Sequence, residues 1–450
     1  MKIPETPPDV SKILEVLREK NPSVLLQMVE KAAPLDPKGR YLPWDKVKYL
    51  PLPDDFKNHE LWWAVMKIAR KSAYRKLGIE GINRVSLRYV LIDSFSEILH
   101  YLDQFASGHI VIEQPILNPQ LKNYHLINAL IEESITSSQL EGATTTRDIA
   151  KKMLKEGRSP RNKSERMILN NYEAINFIRT KTTEILSPEF IREIHSIISK
   201  ETLDKEKVGN YRDETDDIHV TADSQIIFTP PASNEIEGRL KELCDFANAS
   251  INQGFIHPVV KAIILHFVFA YIHPFVDGNG RTARALFYWM MLKKGYWLTE
   301  FISISRILKN APAKYSYSFL YAETDENDIT YFIDYQLHVV KQAIDELKKY
   351  LKRKMDEVAS TEKLFQKTKL ARRLNFRQLT LLKSALKNPG STYTIQEYKN
   401  THNVVYQTAR KDLLELSDTH HLLEKIKRGK GFFFIAPSDL SMRIGEANEQ

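Results

Sequence analysis

His273-Pro274-Phe275-Val276-Asp277-Gly278-Asn279-Gly280-Arg281-Thr282-Ala283-Arg284 lies between two apolar helical segments and decides the fold. Upstream, Pro258 to Ile272 is apolar on nearly every position, as in a helix buried on most sides. It must stop at His273, because Pro274 disfavours helical backbone before it. Downstream, Ala283 to Leu292 restarts a helix that Gly295 ends. The pair predicts a helical core with one chemically dense loop at its centre.

Each residue of the loop has a chemical use. The glycines flanking Asn279 allow positive φ and an N–H nest, and the next helix adds its N-terminal amides. Arg281 and Arg284 lie one turn apart and can fork onto phosphate oxygens. Asp277 can hold Mg²⁺ between two phosphates. His273 can take a proton near neutral pH, and Phe275 reads as the apolar anchor of the loop. A lone Gly-x-Gly or a lone His before Pro is ordinarily structural. Their joint occurrence in this order favours phosphate handling.

Composition sets the frame. A chain of 450 residues exceeds one compact core, so two or three domains are expected. With 42% hydrophobic and 27% charged residues it reads as globular. One cysteine, Cys244, excludes an intrachain disulfide, and its helical context reads as a small buried residue. Neither a spanning apolar run nor a leader-like apolar N-terminus is visible, so no membrane partner is expected and the cytoplasm is the expected compartment. Basicity is local: residues 341–436 hold 21 Lys+Arg against 10 Asp+Glu, more than the whole net charge of +8.

Residues 1–110 read as a helical N-terminal domain with proline-rich breaks, and 111–345 as a second domain. A charged helix at about 340–358 leads out of it. Residues 360–436 form a separate basic unit: helices at Phe376–Leu386, Thr394–Thr401 and Val405–Leu416, then two short strands around a Lys425–Lys430 turn. That order predicts a winged helix-turn-helix, with Tyr406, Gln407, Arg410 and Lys411 facing outward. DNA is one partner this unit would fit, and a protein-interaction module is the other. Residues 437–450 form a tail. Between Ile218 and Pro231, β-prone residues (Ile218, His219, Val220, Thr221 and Ile226, Ile227, Phe228) predict a hairpin.

The loop resembles the signature His-Pro-Phe-x-Asp-Gly-Asn-Gly-Arg-x-x-Arg of the Fic (Fic/Doc) family, matched at every fixed position. The resemblance implies a mainly α fold: a Fic-type core over about 187–340 with a small β-hairpin flap. It also implies a protein adenylyltransferase moving AMP from ATP, its co-substrate, to a Tyr, Thr or Ser hydroxyl of a protein, including this chain itself. By position, His273 would deprotonate the hydroxyl and Asp277 would hold Mg²⁺. Gly278, Asn279 and Gly280 would cradle phosphate, and Arg281 and Arg284 would bind it. Pro274, Phe275 and Val276 complete the ATP-binding loop. Tyr315 or Tyr317 would pack on adenine, and the 218–229 hairpin would dock the target segment as an added strand.

Ser137-Ser138-Gln139-Leu140-Glu141-Gly142 reads alone as a helix end with a glycine cap. Beside the loop it resembles the family's inhibitory helix, at about 127–142. Glu141 would pair with Arg284 and displace the γ-phosphate, and Ser137 would touch the nucleotide. The same Glu is compatible with a deadenylylating or bifunctional enzyme. A DNA-binding regulator with a vestigial nucleotide site is the alternative of another class. The target and the oligomeric state, a homodimer included, stay open in the sequence.

Overall fold

The computed structural model describes residues 2–20, 28, 30–107, 119–222, 225–249, 254–365, 373–428 and 431–446. In chain order the described elements begin with α1 (Val10–Lys20), α2 (His59–Ala73), β1 (Arg75–Glu80), β2 (Ser86–Tyr89) and α3 (Asp93–Leu102). Then come α4 (Pro119–Leu140), α5 (Arg147–Glu156), α6 (Lys163–Thr180), α7 (Pro188–Ser199), β3 (Val220–Ala222) and β4 (Gln225–Phe228). They are followed by α8 (Ile236–Asn248), α9 (Pro258–Ile272), α10 (Asn279–Lys293), α11 (Ile304–Asn310), α12 (Pro312–Thr324) and α13 (Thr330–Phe365). The C-terminal elements are α14 (Phe376–Lys387), β5 (Thr392–Thr394), α15 (Ile395–His402), α16 (Tyr406–Leu414), β6 (Glu424–Arg428), β7 (Gly431–Ile435) and α17 (Leu440–Glu446). The fold is mainly α, as the periodicity predicts.

Two compact units emerge: Met1–Gly108, Glu173–Trp297 and Ile307–Gln342 in the first, and His109–Tyr172, Leu298–Arg306 and Ala343–Gln450 in the second. Both units are discontinuous in sequence, with breaks at 108–109, 172–173, 297–298, 306–307 and 342–343. Long-range pairing regroups the segments between them. The charged helix expected at about 340–358 is the second half of the longer α13, which starts at Thr330.

The first unit is built on α9 and α10. Nearly all of α9 is buried, and Pro258 begins it where a missing N–H costs nothing. Trp289 of α10 stacks toward Phe190 of α7 at 5.5 Å and donates Nε1–H to the Lys181 carbonyl. The N-terminal segment is fastened here by buried polar contacts. Lys67 pairs with Asp325 at 2.8 Å, and Arg70 donates to Tyr331 and to the carbonyls of Pro34 and Leu42. This segment holds an antiparallel hairpin, β1–β2, where only helices were expected. Its alternation is present, since Leu77 and Ile79 face inward between exposed neighbours. Three charged residues in six positions, Arg75, Lys76 and Glu80, obscure it.

In the second unit, Ile131 and Ile135 of α4 pack with Ala150 and Met153 of α5 and Ile168 of α6. Glu133 of α4 is buried and accepts from Ser303 Oγ (2.7 Å), Ser305 N (3.1 Å) and Ser305 Oγ, which ties α4 to the 303–305 segment. The C-terminal part forms its own core around Leu382, Leu413, Leu416 and Phe434. Its three strands run in the order β5-β7-β6, with β5 supplying an edge not expected from the sequence. Asp412 organises the polar side, accepting from Asn375, Arg377 and Tyr398. Tyr406, Gln407, Arg410 and Lys411 are exposed on α16. Gly429 and Lys430 of the basic turn lie outside the described residues, as do 366–372 and 447–450 of the segments predicted at 360–436 and 437–450. Among the described residues no helix is long and apolar enough to cross a membrane.

Candidate active site

His273 closes α9 in the left-handed region (φ 52°, ψ 56°), its N–H reaching back to the Phe269 carbonyl. Its Nδ1 lies 3.2 Å from the Ala270 carbonyl. A carbonyl can only accept, so Nδ1 carries the proton and Nε2 keeps its lone pair. The ring is thereby set in the tautomer a general base requires.

The loop is built around Phe275, which is fully buried. The Asn279 side chain brackets that residue: Oδ1 accepts from Phe275 N at 3.0 Å, and Nδ2 donates to Phe275 O at 2.7 Å. Asn279 therefore shapes the loop with its side chain, leaving only its backbone for the cradle. Gly278 takes φ +85° and starts α10. A Cβ there would lie 3.2 Å from His195 Nε2, so both torsion and space require glycine. Gly280 departs from expectation. It lies in the first turn of α10, and Gly278 alone supplies the positive φ.

Asp277 is 42% exposed, and its Oδ1 accepts from Gly278 N at 2.5 Å and faces Arg281 Nη2 at 3.5 Å. Arg281 and Arg284 are each 1% exposed. Arg281 Nη1 also donates to the Ile198 carbonyl at 3.2 Å. Arg284 approaches His266, which burial first and this guanidinium second push down to about 3. Val276 is half-buried and Pro274 buried.

Two supporting residues have no role assigned from the sequence, although Arg212 lies in the Gly209–Arg212 stretch that fits the family upstream of the flap. Arg212 clamps the loop entrance: its N–H donates to Pro274 O and its Nε to His273 O, both at 2.9 Å. Its Nη2 donates to Pro231 O at the flap exit. His195, fully buried on α7, stacks on Phe275 with ring centroids 3.6 Å apart and planes within 2°. Its Nδ1 accepts from Gly209 N at 3.1 Å, and its Nε2–H donates to Asp277 O at 2.9 Å. The pattern Ile194-His195-Ser196, about two turns into an amphipathic helix, reads as an ordinary core position, so nothing in the sequence announced it.

Burial pushes His195 down from 6.5 to about 4, so the folded state holds it neutral. The unfolded chain then binds more protons between those values, and stability should be lost as pH falls from about 6.5 toward 4. His195→Phe keeps the stack but orphans Gly209 N–H and Asp277 O, at about 1–3 kcal/mol each. Urea unfolding at pH 7 and pH 5 should show a less stable variant with a smaller loss on acidification. Equal pH dependence in both proteins would remove this role.

The flap is an antiparallel ribbon pairing Val220 with Phe228, Thr221 with Ile226 and Ala222 with Gln225, with Ile227 bulged. Ile218 and His219 precede the strand; His219 Nδ1 is 3.1 Å from Thr229 Oγ1. The turn residues Asp223 and Ser224 lie outside the described residues. Phe228 anchors the ribbon on Tyr271 of α9 (5.0 Å), while Ile226 is half exposed on its outer strand. Tyr315 bonds His266 Nε2 at 2.9 Å inside an aromatic group with Phe319 and Phe332, and Tyr317 donates to the Lys2 carbonyl.

Ser137 and Glu141 belong to the second unit. Ser137 is buried within α4, and Glu141 follows its last residue, half-buried. Gly142, at φ +93°, caps the helix with Ala143 N–H returning to the Ser138 carbonyl.

This chain is similar to known proteins over part of its length. A protein adenylyltransferase Fic of Nematostella vectensis is 25% identical over 209 residues, 46% of this chain and 45% of that protein. Protein adenylyltransferase fic-1 of Caenorhabditis elegans is 38% identical over 69 residues, 15% of this chain and 13% of its own length. The chain thus spans less than half the length of these curated relatives. A crystal structure of a Fic family protein from Desulfovibrio desulfuricans G20 aligns over 77% of this chain and 97% of its own, at 16% identity and a TM-score of 0.49. The Fic/DOC family model matches residues 185–291, which run from the start of α7 through the loop into α10, and the chain carries a Fic-family domain there.

Proposed function

We propose that this chain is a protein adenylyltransferase that moves AMP from ATP to a protein hydroxyl and is held back by its own α4. The observation that carries the reading is the loop itself. His273 has a lone pair on Nε2, and Gly278 turns the backbone into the amino end of α10 with Arg281 and Arg284 beside it. The names of the relatives point the same way.

In this scheme Nε2 of His273 takes the proton of a Tyr, Thr or Ser hydroxyl. The oxygen attacks the α-phosphorus of ATP, its bond to the β-bridging oxygen breaks, and pyrophosphate leaves. Negative charge grows on phosphate oxygens, where the α10 amides, Arg281 and Arg284 offer preorganised positive charge. Asp277 suits Mg²⁺: Oδ1 is engaged within the loop, while the carboxylate keeps 42% exposure. Bound there, Mg²⁺ would offset charge on the leaving pyrophosphate. The β3–β4 ribbon supports backbone docking of the target, because a two-stranded ribbon leaves edge N–H and C=O groups for an added strand.

The test uses ATP labelled at either end. Label at the α-phosphate should enter protein, on the chain itself or on a target in extract, and label at the γ-phosphate should not. Incorporation of γ-label alone would replace this reading with phosphate transfer.

A further inference from the structure

The second unit contains a cavity of about 1030 Å³ that lies apart from the loop's residues. That volume is at the upper end of small-molecule sites. Two helices present basic stripes to it. Arg147 and Lys151 lie one turn apart on α5, and Lys349, Lys352 and Arg353 lie three and four apart on α13. Arg306 adds a sixth cation.

Two carboxylates reach the same space. Glu132 holds Arg147 at 2.7 Å, and Glu346 holds Arg306. Among the described residues Lys151, Lys349, Lys352 and Arg353 make no ion pair within 4.0 Å, and Glu132 and Asp148 act on Lys151 only from further away. Burial and then the neighbouring Arg147 depress the Lys151 pKa, which marks like charges crowded on one wall. A concave, partly dry wall of one sign concentrates counter-ions more strongly than a flat solvated face. The lining also has an apolar part, Phe301, Ile302, Ala343 and Leu347, with Tyr350 edge-on to His125 at 5.2 Å.

We propose that this cavity binds a small molecule bearing a polyphosphate chain, its phosphates between the α5 and α13 cations and its organic end against Phe301 and Leu347. Lysines hold phosphate as point charges and Arg353 can fork onto it, so several ionised oxygens on one short chain match this spacing better than a single carboxylate. The apolar wall distinguishes the site from a surface that merely attracts any polyanion.

Inorganic tripolyphosphate is the probe, titrated calorimetrically into the full chain at low ionic strength. Lys151→Glu/Lys352→Glu changes only side chains that are not fully buried. Wild type should show saturable binding that weakens with salt, and the double variant should lose that component by more than about tenfold in affinity. Binding at the Fic loop, which the variant leaves intact, would remain as a second component in both proteins. Identical titrations of wild type and variant, or no saturable binding in either, would overturn the cavity site. Loss of the residual component alone would count against the loop, not the cavity.

Discussion

Replacing His273 by alanine should lower AMP transfer by about 10²–10⁴-fold, the usual contribution of a positioned general base. The expectation follows from the hydrogen bond that fixes the ring. Nδ1 is committed to the Ala270 carbonyl at 3.2 Å, so the proton-accepting nitrogen is Nε2. His273 also holds a left-handed backbone at φ 52°, and its carbonyl accepts from Arg212. Alanine carries a small strain there, of order 1 kcal/mol. His273→Asn tolerates the same torsion without supplying the base, which separates the two effects. Both variants should bind ATP about as tightly as the parent, because the phosphate-facing groups belong to α10. The measurement is single-turnover AMP incorporation together with an ATP titration. If His273→Asn keeps more than about a tenth of the parent rate, His273 is not the base. If both variants lose ATP binding as well, the ring is a structural part of the cradle.

The parts of the fold legible in sequence were those where a local rule and the tertiary structure demand the same residues. Pro274 ends α9, Gly278 supplies the one torsion that starts α10, and the run from Val259 to Ile272, apolar except at Lys261 and His266, has to be central. The loop was legible for the same reason, because its chemistry is contiguous. Residues that act from a distance were not. His195 lies 82 positions from the carbonyl it holds, and Arg212 reaches His273 from 61 positions away. Neither has a local signal, since a histidine or arginine on an amphipathic helix or in a turn is ordinarily a solvated or satisfied side chain. Asn279 shows a related limit. Its position between glycines suggested a place in the phosphate cradle and gave no sign that both ends of its amide hold Phe275. Gly280 was overread because glycine permits a positive φ without requiring one. The β1–β2 hairpin was missed because charge at three of its first six positions hides an alternation of only two apolar residues.

Glu141→Gly should raise AMP transfer by on the order of 10²-fold, if a carboxylate opposite Arg284 misplaces the phosphates by about 1 Å. The pairing of Glu141 with Arg284 is part of the proposal. Its basis is the resemblance of residues 137–142 to the family's inhibitory helix, and a carboxylate and a γ-phosphate would compete for one guanidinium, here 1% exposed. The position suits a clean experiment. Glu141 follows the last residue of α4, next to Gly142 at φ +93°, so glycine there avoids the cost of about 1 kcal/mol it carries in a helix interior. Thermal unfolding should therefore stay close to the parent while kcat rises, which separates release of restraint from loosening of the fold. Glu141→Gln keeps the shape and removes the charge, and should give an intermediate rate. α4 should remain in place in both variants, because Glu133 keeps its bonds to Ser303 and Ser305. Glu133→Gln should instead weaken that fastening and raise transfer without touching Glu141. Equal rates for the parent and Glu141→Gly, with folding intact, would sink the restraint. A fall in removal of AMP from a modified protein, with transfer unchanged, would assign Glu141 to orienting water for the reverse process.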